Sequence, residues 1–129
     1  MGAIPVVVPP GSYYQLALLV APYLSQALPN PFFFEGGLRP LPIPVSVGIY
    51  VAFDPVWSVT YVGSVARPAN PRGLEARVNE HLREGRKVLA WRGVYVLPLM
   101  PTMSSVSVRQ LEGHVGRILR PRMSARLPS

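Results

Sequence analysis

The chain has 129 residues and a mass of 14.1 kDa, which suits one compact domain and excludes two of ordinary size. Hydrophobic residues make up 49% and charged residues 15%, a balance that excludes compositional disorder and leaves enough apolar side chain for a core. The absence of cysteine excludes disulfides, thiolate metal sites and a cysteine nucleophile.

The net charge of +7 is carried by the later part of the chain. Residues 1–47 contain one acid, Glu35, and one base, Arg39, so the whole excess lies in residues 48–129. Twelve of the thirteen basic residues are arginines, whose forked donors suit phosphate groups. Two interpretations stay open: a polyanionic partner, or scattered surface charge that keeps a small domain in solution.

No targeting or membrane-spanning segment is predicted. The first ten residues lack the positive n-region of a secretory signal, and the apolar run 16–21 is far shorter than the ~20 residues of a membrane helix. We therefore expect a cytoplasmic protein with no membrane partner.

Residues 1–44 are predicted to form a proline-rich, apolar N-terminal arm. Its prolines cluster in residues 1–10 and 29–44, where each one disfavours helix in the residue before it. Between these clusters Ser12 can cap a short helix over residues 13–28, kinked at Pro22. The apolar stripe of that helix would comprise Leu16, Leu19, Tyr23 and Ala27. The three phenylalanines at 32–34 need cover, so the arm should pack against the rest of the chain or form a homodimer.

A change of pattern at residue 45 marks the start of a second region, 45–129. Residues 45–53 alternate between apolar and small or polar side chains, which predicts a half-buried strand. Asp54 and Pro55 favour a turn, and residues 59–65 repeat the alternation, so a hairpin is expected.

The remaining elements are predicted from helical spacing and from proline and glycine positions. A helix over 74–84 ends at Gly85, and a strand over 88–91 and 94–97 is bent at Gly93. Ser105 can cap a last helix that reaches Leu119, with Pro121 just beyond it. The order is β-β-α-β-α, an α+β fold.

Two tyrosines of the predicted hairpin stand next to small residues. Tyr50 alternates with Gly48 and Ala52, and Tyr61 comes two residues before Gly63. Both phenols should therefore face a shallow hollow, which suggests a site. The alternative is that they pack like other strand tyrosines, with their hydroxyls at the rim.

Arg77 and His81 are one turn apart on the predicted first helix, so they share a face. They border the apolar stripe, where a cleft can form. The alternative is a surface ion pair between Arg77 and Glu80, worth about 0–1 kcal/mol, and a histidine without a role.

Glu112 falls within the apolar stripe of the last helix. That stripe comprises Val108, Leu111, Val115, Ile118 and Leu119. A buried carboxylate must be paired, protonated or coordinating, because burying it alone is strongly unfavourable. Arg109 is one candidate partner, although it points to the edge of the stripe, and His114 faces away.

Taken together, these residues resemble the GIY-YIG nuclease superfamily. The chain reads Gly48-Ile49-Tyr50, then ten residues, then Tyr61-Val62-Gly63, followed by the Arg77 helix and the Glu112 helix. The resemblance covers residues 45–124, with Val62 where isoleucine is commoner. The spacing of the whole set argues against a chance match.

This resemblance implies a small three-stranded antiparallel sheet flanked by helices and a nuclease that uses one divalent metal, Mg²⁺ or Mn²⁺. By position, Glu112 would bind the metal and Arg77 would clamp the phosphate. Tyr61 would orient or deprotonate the attacking water, and Tyr50 would hydrogen-bond the scissile phosphate or that water. His81 would assist proton transfer.

Further residues are expected to support the site or to bind nucleic acid. Gly48 and Gly63 belong to the two tripeptides, and Ser124 stands where many family members have an asparagine. The predicted nucleic-acid-binding residues are Arg72, Arg86, Lys87 and Arg92.

The leading hypothesis is a metal-dependent DNA endonuclease, of restriction type if the arm forms a homodimer. RNA is a second candidate substrate, and a nuclease toxin or a piece of a repair factor belongs to the same class. Two alternatives come from other classes: a non-catalytic nucleic-acid-binding module with this fold, and an interaction protein held by its proline-rich arm.

Overall fold

The computed structural model describes residues 18–27, 29, 31–34, 44–83 and 91–119. Its elements are β1 (Phe32–Phe33), β2 (Val47–Phe53), β3 (Val59–Ala66), α1 (Gly73–Leu82), β4 (Gly93–Pro98) and α2 (Ser105–Leu119). A short 3₁₀ turn, Ala21–Tyr23, precedes them.

The four strands form one antiparallel sheet in the order β1-β4-β2-β3. The α+β class agrees with the sequence, but the expected three-stranded sheet is wrong. Phe32 and Phe33 of the arm pair with Val94 and Gly93, and the amide of Phe34 continues the pairing by donating to the carbonyl of Arg92 at 2.8 Å. The arm thus supplies backbone partners to an edge of β4 that would otherwise be unpaired.

The β2–β3 hairpin is confirmed, and β2 lies at the centre of the core. All seven residues of β2 are buried, so the predicted half-buried strand is wrong. The reason is that helices cover both faces of the sheet. The face shared by Ile49 and Val51 packs with Val108 and Val115 of α2, whereas the face of Tyr50 packs with α1.

The predicted helix does not continue through the described part of the arm, where Leu18 is helical and the residues after it are not in an α-helix. Pro22 lies in the 3₁₀ turn, and the expected stripe residues Leu19 and Tyr23 are exposed. Val20 is the residue that is fully buried, against the α2 side of the core, and Leu24 forms a β-bridge with Leu99. Residues 12–17 lie outside the described part of the chain. The division of the chain at residue 44 stays a prediction.

The two helices lie where the spacing predicts, with small differences at their ends. Ser104, and not Ser105, caps α2: its hydroxyl oxygen accepts a hydrogen bond from the amide of Ser107 at 3.1 Å. β4 runs from Gly93 to Pro98. Of the predicted first half of this strand, 88–91, residues 88–90 lie outside the described residues and Trp91 is not in a strand.

The helices in the described part of the chain are all too short or too polar to cross a bilayer.

Candidate active site

The two tripeptides meet because Gly63 lies directly beside Tyr50. The register of the β2–β3 pair sets these residues opposite each other. The ring of Tyr50 crosses β3 at this point, so a Cβ atom on Gly63 would overlap the Cζ and hydroxyl of Tyr50. Gly63 therefore fixes the direction in which the Tyr50 hydroxyl points.

Gly48 has a different role on the same face. A Cβ atom there would lie 2.9 Å from the carbonyl oxygen of Leu97 and 3.0 Å from Cδ1 of Leu74. The missing side chain lets α1 pack closely on the sheet, and α1 carries Arg77 and His81.

Tyr50, Tyr61 and His81 form a compact buried cluster. The Tyr50 hydroxyl and His81 Nε2 are hydrogen-bonded at 2.7 Å, and the ring of Tyr61 stacks on that of Tyr50 at a centroid distance of 6.2 Å. The exposed fractions of the three residues are 1%, 6% and 3%. The predicted shallow hollow in front of the phenols is therefore wrong, because the rings fill each other's space. His81, which the alternative leaves without a role, contacts the rings of both tyrosines.

Trp91 completes this cluster and was missed by the sequence analysis. Its ring lies 5.5 Å from that of Tyr61 and 5.3 Å from that of His81. The sequence placed this residue at the end of a predicted strand segment, 88–91, which gave it no role, and only the fold brings it to the site.

Burial raises the pKa of Tyr50 well above the ordinary value of 10.0. Tyr61 and the Glu112 carboxylate raise this pKa further, and the Arg77 guanidinium beside the hydroxyl lowers it, but burial prevails. Tyr50 therefore keeps its proton at neutral pH. The phenol acts as a hydrogen-bonding group, not as a ready base.

Arg77 also contacts a carboxylate on its own helix, as the surface-pair alternative predicted. Its Nη1 lies 3.1 Å from Oε1 of Glu80, whose oxygens also accept two hydrogen bonds from Arg67, at 3.0 and 3.2 Å. Burial disfavours the charge on Arg77, but Tyr50 and Glu80 outweigh it and raise the arginine's pKa. The hydrogen bonds from Arg67, and then from Arg77, lower the pKa of Glu80. Arg77 thus links the phenol cluster to the surface.

Glu112 is buried, with an exposed fraction of 9%, and its partner is Ser64. The hydroxyl of Ser64 donates to Oε1 of Glu112 at 2.5 Å. The suggested salt bridge to Arg109 does not form, and no other basic residue in the described ranges pairs with this carboxylate. Ser64 follows Gly63 directly in the chain. The hydrogen bond to Ser64 therefore holds Glu112 one residue along β3 from the glycine that the Tyr50 ring packs over.

An open cleft of about 180 Å³ lies beside these residues, along β3. We call it the edge cleft. Its lining comprises Ser64, Val65, Ala66, Arg67, Arg77, Ser105, Val108 and Arg109. Since β3 ends the sheet and α1 and α2 cover opposite faces, the cleft joins residues from both faces at the edge of the sheet.

Not all of the predicted site residues reach this place. Arg72 is exposed before α1 and pairs with Glu75 at 3.0 Å, and Arg92 is exposed before β4. Neither lines the edge cleft. The remaining three, Arg86, Lys87 and Ser124, lie outside the described residues.

In fold and site the protein is an α+β domain whose edge strand β3 has a tyrosine, histidine and arginine cluster on the α1 side and a buried glutamate on the α2 side. No protein-family model matches the chain, and no curated protein or solved structure matches it.

Proposed function

We propose that the protein is a metal-dependent endonuclease that hydrolyses phosphodiester bonds in DNA, as the resemblance to the GIY-YIG superfamily implies. The observation that supports this most is that β3 has the Tyr50, His81 and Arg77 side chains on one side and the buried Glu112 carboxylate on the other. The Tyr50 hydroxyl is hydrogen-bonded to His81, the Arg77 guanidinium lies beside that hydroxyl, and the Glu112 carboxylate contributes to the same electrostatic environment.

Arg77 is suited to binding the scissile phosphate. Its side chain is 30% exposed, so its guanidinium lies at the boundary between the buried cluster and the edge cleft. A guanidinium offers a planar fork of donors to two phosphoryl oxygens. It would neutralise charge that grows on those oxygens as the bond is attacked.

The Tyr50–His81 pair is suited to positioning a proton near that phosphate. When His81 donates from Nε2, the hydroxyl of Tyr50 is free to donate to a phosphoryl oxygen or to water. Its raised pKa keeps the proton on the phenol, so a hydrogen bond and not a negative charge is presented to the anionic substrate. Tyr61, stacked on Tyr50, is the residue we propose to orient or deprotonate the attacking water.

Glu112 fits the role of a metal ligand. Its carboxylate is buried, contacts the Ser64 hydroxyl, and has no cationic partner in the described parts of the chain. The described residues contain no group of three acidic, histidine or cysteine side chains, but Mg²⁺ is often bound through one or two carboxylates, with water completing its shell. When bound, Mg²⁺ or Mn²⁺ would supply Lewis-acid stabilisation of the phosphoryl oxygens.

The burial of both phenols favours a second candidate, a non-catalytic nucleic-acid-binding module. Tyr50 and Tyr61 are nearly inaccessible, and Glu80 already contacts Arg77. In this alternative the cluster only stabilises the fold, and the arginines bind the nucleic acid. Binding that is sensitive to salt, without metal-dependent cleavage, would identify it.

A plasmid assay separates the two candidates. Supercoiled DNA incubated with the protein and Mg²⁺ or Mn²⁺ should be nicked or linearised, and a chelator should prevent this. Glu112→Gln and Arg77→Gln should each lower the rate by about a hundredfold or more, as loss of a group that stabilises the transition state does. Parallel assays on single-stranded RNA test the second candidate substrate.

Glu75→Gln is the matched control for Glu112→Gln. It also removes a carboxylate, but one that pairs with the exposed Arg72 outside the site, so its rate should equal that of the wild type. Circular dichroism checks that each variant is folded. Wild-type protein that cleaves neither DNA nor RNA with either metal would rule out the nuclease proposal.

A homodimer through the arm and a restriction-type activity in the cytoplasm are the finer parts of the proposal. The described arm presents Leu18, Tyr23 and Phe33 to solvent, with exposed fractions of 74%, 40% and 43%. Apolar side chains exposed together favour association. Sedimentation velocity should show a dimer, and Leu18→Ser with Phe33→Ser should give a folded monomer.

A further inference from the structure

The edge cleft holds more positive charge than the proposed cleavage chemistry needs. Three arginines of the described part of the chain line it, Arg67 after β3, Arg77 from α1 and Arg109 from α2. Arg67 and Arg77 share one carboxylate, that of Glu80. No acidic residue among those described forms an ion pair with Arg109. Among the described residues, Glu80 is thus the one carboxylate that forms an ion pair with any of these three guanidinium groups.

The other polar groups of the cleft also suit an anion. Ser64 and Ser105 add hydroxyls to its lining, although that of Ser64 already donates to Glu112, and the described residues that line it include no carboxylate. Arginine carries donors only and keeps its charge at every ordinary pH, and the hydroxyl of Ser105 can donate as well. A lining of this kind matches an extended anion with oxygens along its length.

We propose that the edge cleft binds the nucleic-acid backbone beyond the scissile phosphate, through Arg67 and Arg109. We propose in addition that Glu80 occupies Arg67 and Arg77 in the free protein until phosphate groups displace it. This inference rests on the proposed function for the identity of the ligand, duplex DNA. It adds two binding residues and a competing carboxylate to the residues with a role in cleavage.

The geometry of Glu80 suits a displaceable group. Its oxygens accept bidentate hydrogen bonds from Arg67, in the way that phosphate oxygens would. The side chains of Glu80 and Arg67 are each 39% exposed, and ion pairs at such exposure contribute little because water screens them. A backbone that offers several phosphates can therefore replace one carboxylate, whereas a single small anion competes poorly.

Binding in the presence of a chelator tests the inference without any cleavage. Fluorescence anisotropy with a labelled DNA duplex gives the dissociation constant at several salt concentrations. Arg67→Gln and Arg109→Gln should each weaken binding about fivefold or more. Each should also make the slope of the logarithm of the binding constant against the logarithm of salt concentration shallower by about one. Glu80→Gln should strengthen binding, because it frees two arginines.

Arg117→Gln is the matched control for Arg109→Gln. Arg117 lies two turns further along α2 and lines a different groove, with Tyr23 and His114. The two substitutions remove the same charge from the same helix. Equal weakening by both would overturn the inference, because binding would then depend on net charge alone. Thermal denaturation checks that each variant is folded.

The outcomes separate this inference from the proposed function. If wild-type protein cleaves DNA while Arg67→Gln and Arg109→Gln keep its dissociation constant and KM, the nuclease proposal is supported and the proposal of DNA binding in the edge cleft is wrong. If the substitutions weaken binding and no metal gives cleavage, the proposal of DNA binding in the edge cleft is supported and the nuclease proposal is wrong. Unchanged or weaker binding by Glu80→Gln would overturn the role of Glu80.

Discussion

At the scale of single residues, the site depends on an absent methyl group. Gly63 leaves room for the ring of Tyr50, and the hydroxyl of that ring reaches His81 at 2.7 Å. Tyr50 of the first tripeptide and Gly63 of the second are therefore required together, because the ring of the tyrosine fills the space that the glycine leaves. A side chain at position 63 would displace the phenol that the proposed chemistry uses.

Gly63→Ala should destabilise the protein and disrupt the site together. Overpacking a buried position typically lowers the free energy of unfolding by about 1–3 kcal/mol. Urea denaturation measures the loss, and near-ultraviolet circular dichroism reports the displaced tyrosine. Gly113→Ala is the control: among the described residues its new Cβ would have only Arg117 Nη1 nearby, at 3.5 Å, and it should stabilise α2 by about 0.5–1 kcal/mol. Equal stability of both variants would contradict the steric argument.

The buried tyrosines predict a loss of stability at alkaline pH. Burial raises the pKa of Tyr95 from 10.0 to about 12 and that of Tyr50 further still. The unfolded chain releases these protons near pH 10.0, whereas the folded chain retains them. Their contribution to the free energy of unfolding is thus complete below pH 10.0 and is lost for Tyr95 as the pH rises to about 12.

Urea denaturation across this pH range measures the effect. The free energy of unfolding should fall as the pH rises above 10.0, and Tyr95→Phe should reduce the slope. A titration of phenolate absorbance should show tyrosines that ionise only at higher pH or on unfolding. A slope that Tyr95→Phe leaves unchanged would contradict the burial argument for this residue.

At the scale of elements, the sequence pattern predicted those elements that depend on interactions between residues close in the chain. The β2–β3 hairpin follows from the alternation and from Asp54, whose carboxylate accepts hydrogen bonds from the amides of Val56 and Ser58. β1 could not be predicted in this way, because it is two residues long and lies among prolines. Its pairing with β4 depends on an edge that forms about 60 residues later in the chain. The strand count failed where the partner is distant in sequence.

The start of α2 provides a test between neighbouring serines. Ser104 caps the helix through the amide of Ser107, whereas the sequence favoured Ser105. Ser104→Ala should lower the free energy of unfolding by about 0.5–2 kcal/mol, because it leaves that amide without its partner. Ser105→Ala, at the first helical position, should have little effect. Urea denaturation of both variants compares them, and the reverse order would mean that Ser105 is the cap in solution.

At the scale of the whole molecule, the site assembles around an edge strand from both faces of the sheet. The sequence indicated Glu112, because a carboxylate in an apolar stripe requires a partner, but not Ser64, which lies 48 residues away. The place of Arg67 and Arg109 in the edge cleft was missed for the same reason, because it depends on which helix faces which end of β3. A pattern along one element indicates that a side chain is unusual, and only the packing of several elements shows what it meets.

The environment of Glu112 predicts that divalent metal stabilises the fold. If Mg²⁺ binds the folded state alone, a concentration tenfold above its dissociation constant should raise the free energy of unfolding by about 1.4 kcal/mol. Tryptophan fluorescence during urea denaturation measures this without reference to cleavage. Glu112→Gln should abolish the increase, and Glu75→Gln, which alters an exposed pair, should retain it.

Salt must be controlled in this experiment, because the chain carries a net charge of +7 and any electrolyte reduces its self-repulsion. KCl at the same ionic strength gives that general effect, which all three proteins should share. The specific increase is what Mg²⁺ adds beyond KCl. An equal specific increase in the free energy of unfolding of wild type and Glu112→Gln would mean that the metal binds elsewhere. If Mg²⁺ gives no increase beyond KCl in either protein, Glu112 is not a metal ligand in the free protein. The metal could then bind only together with the substrate phosphate.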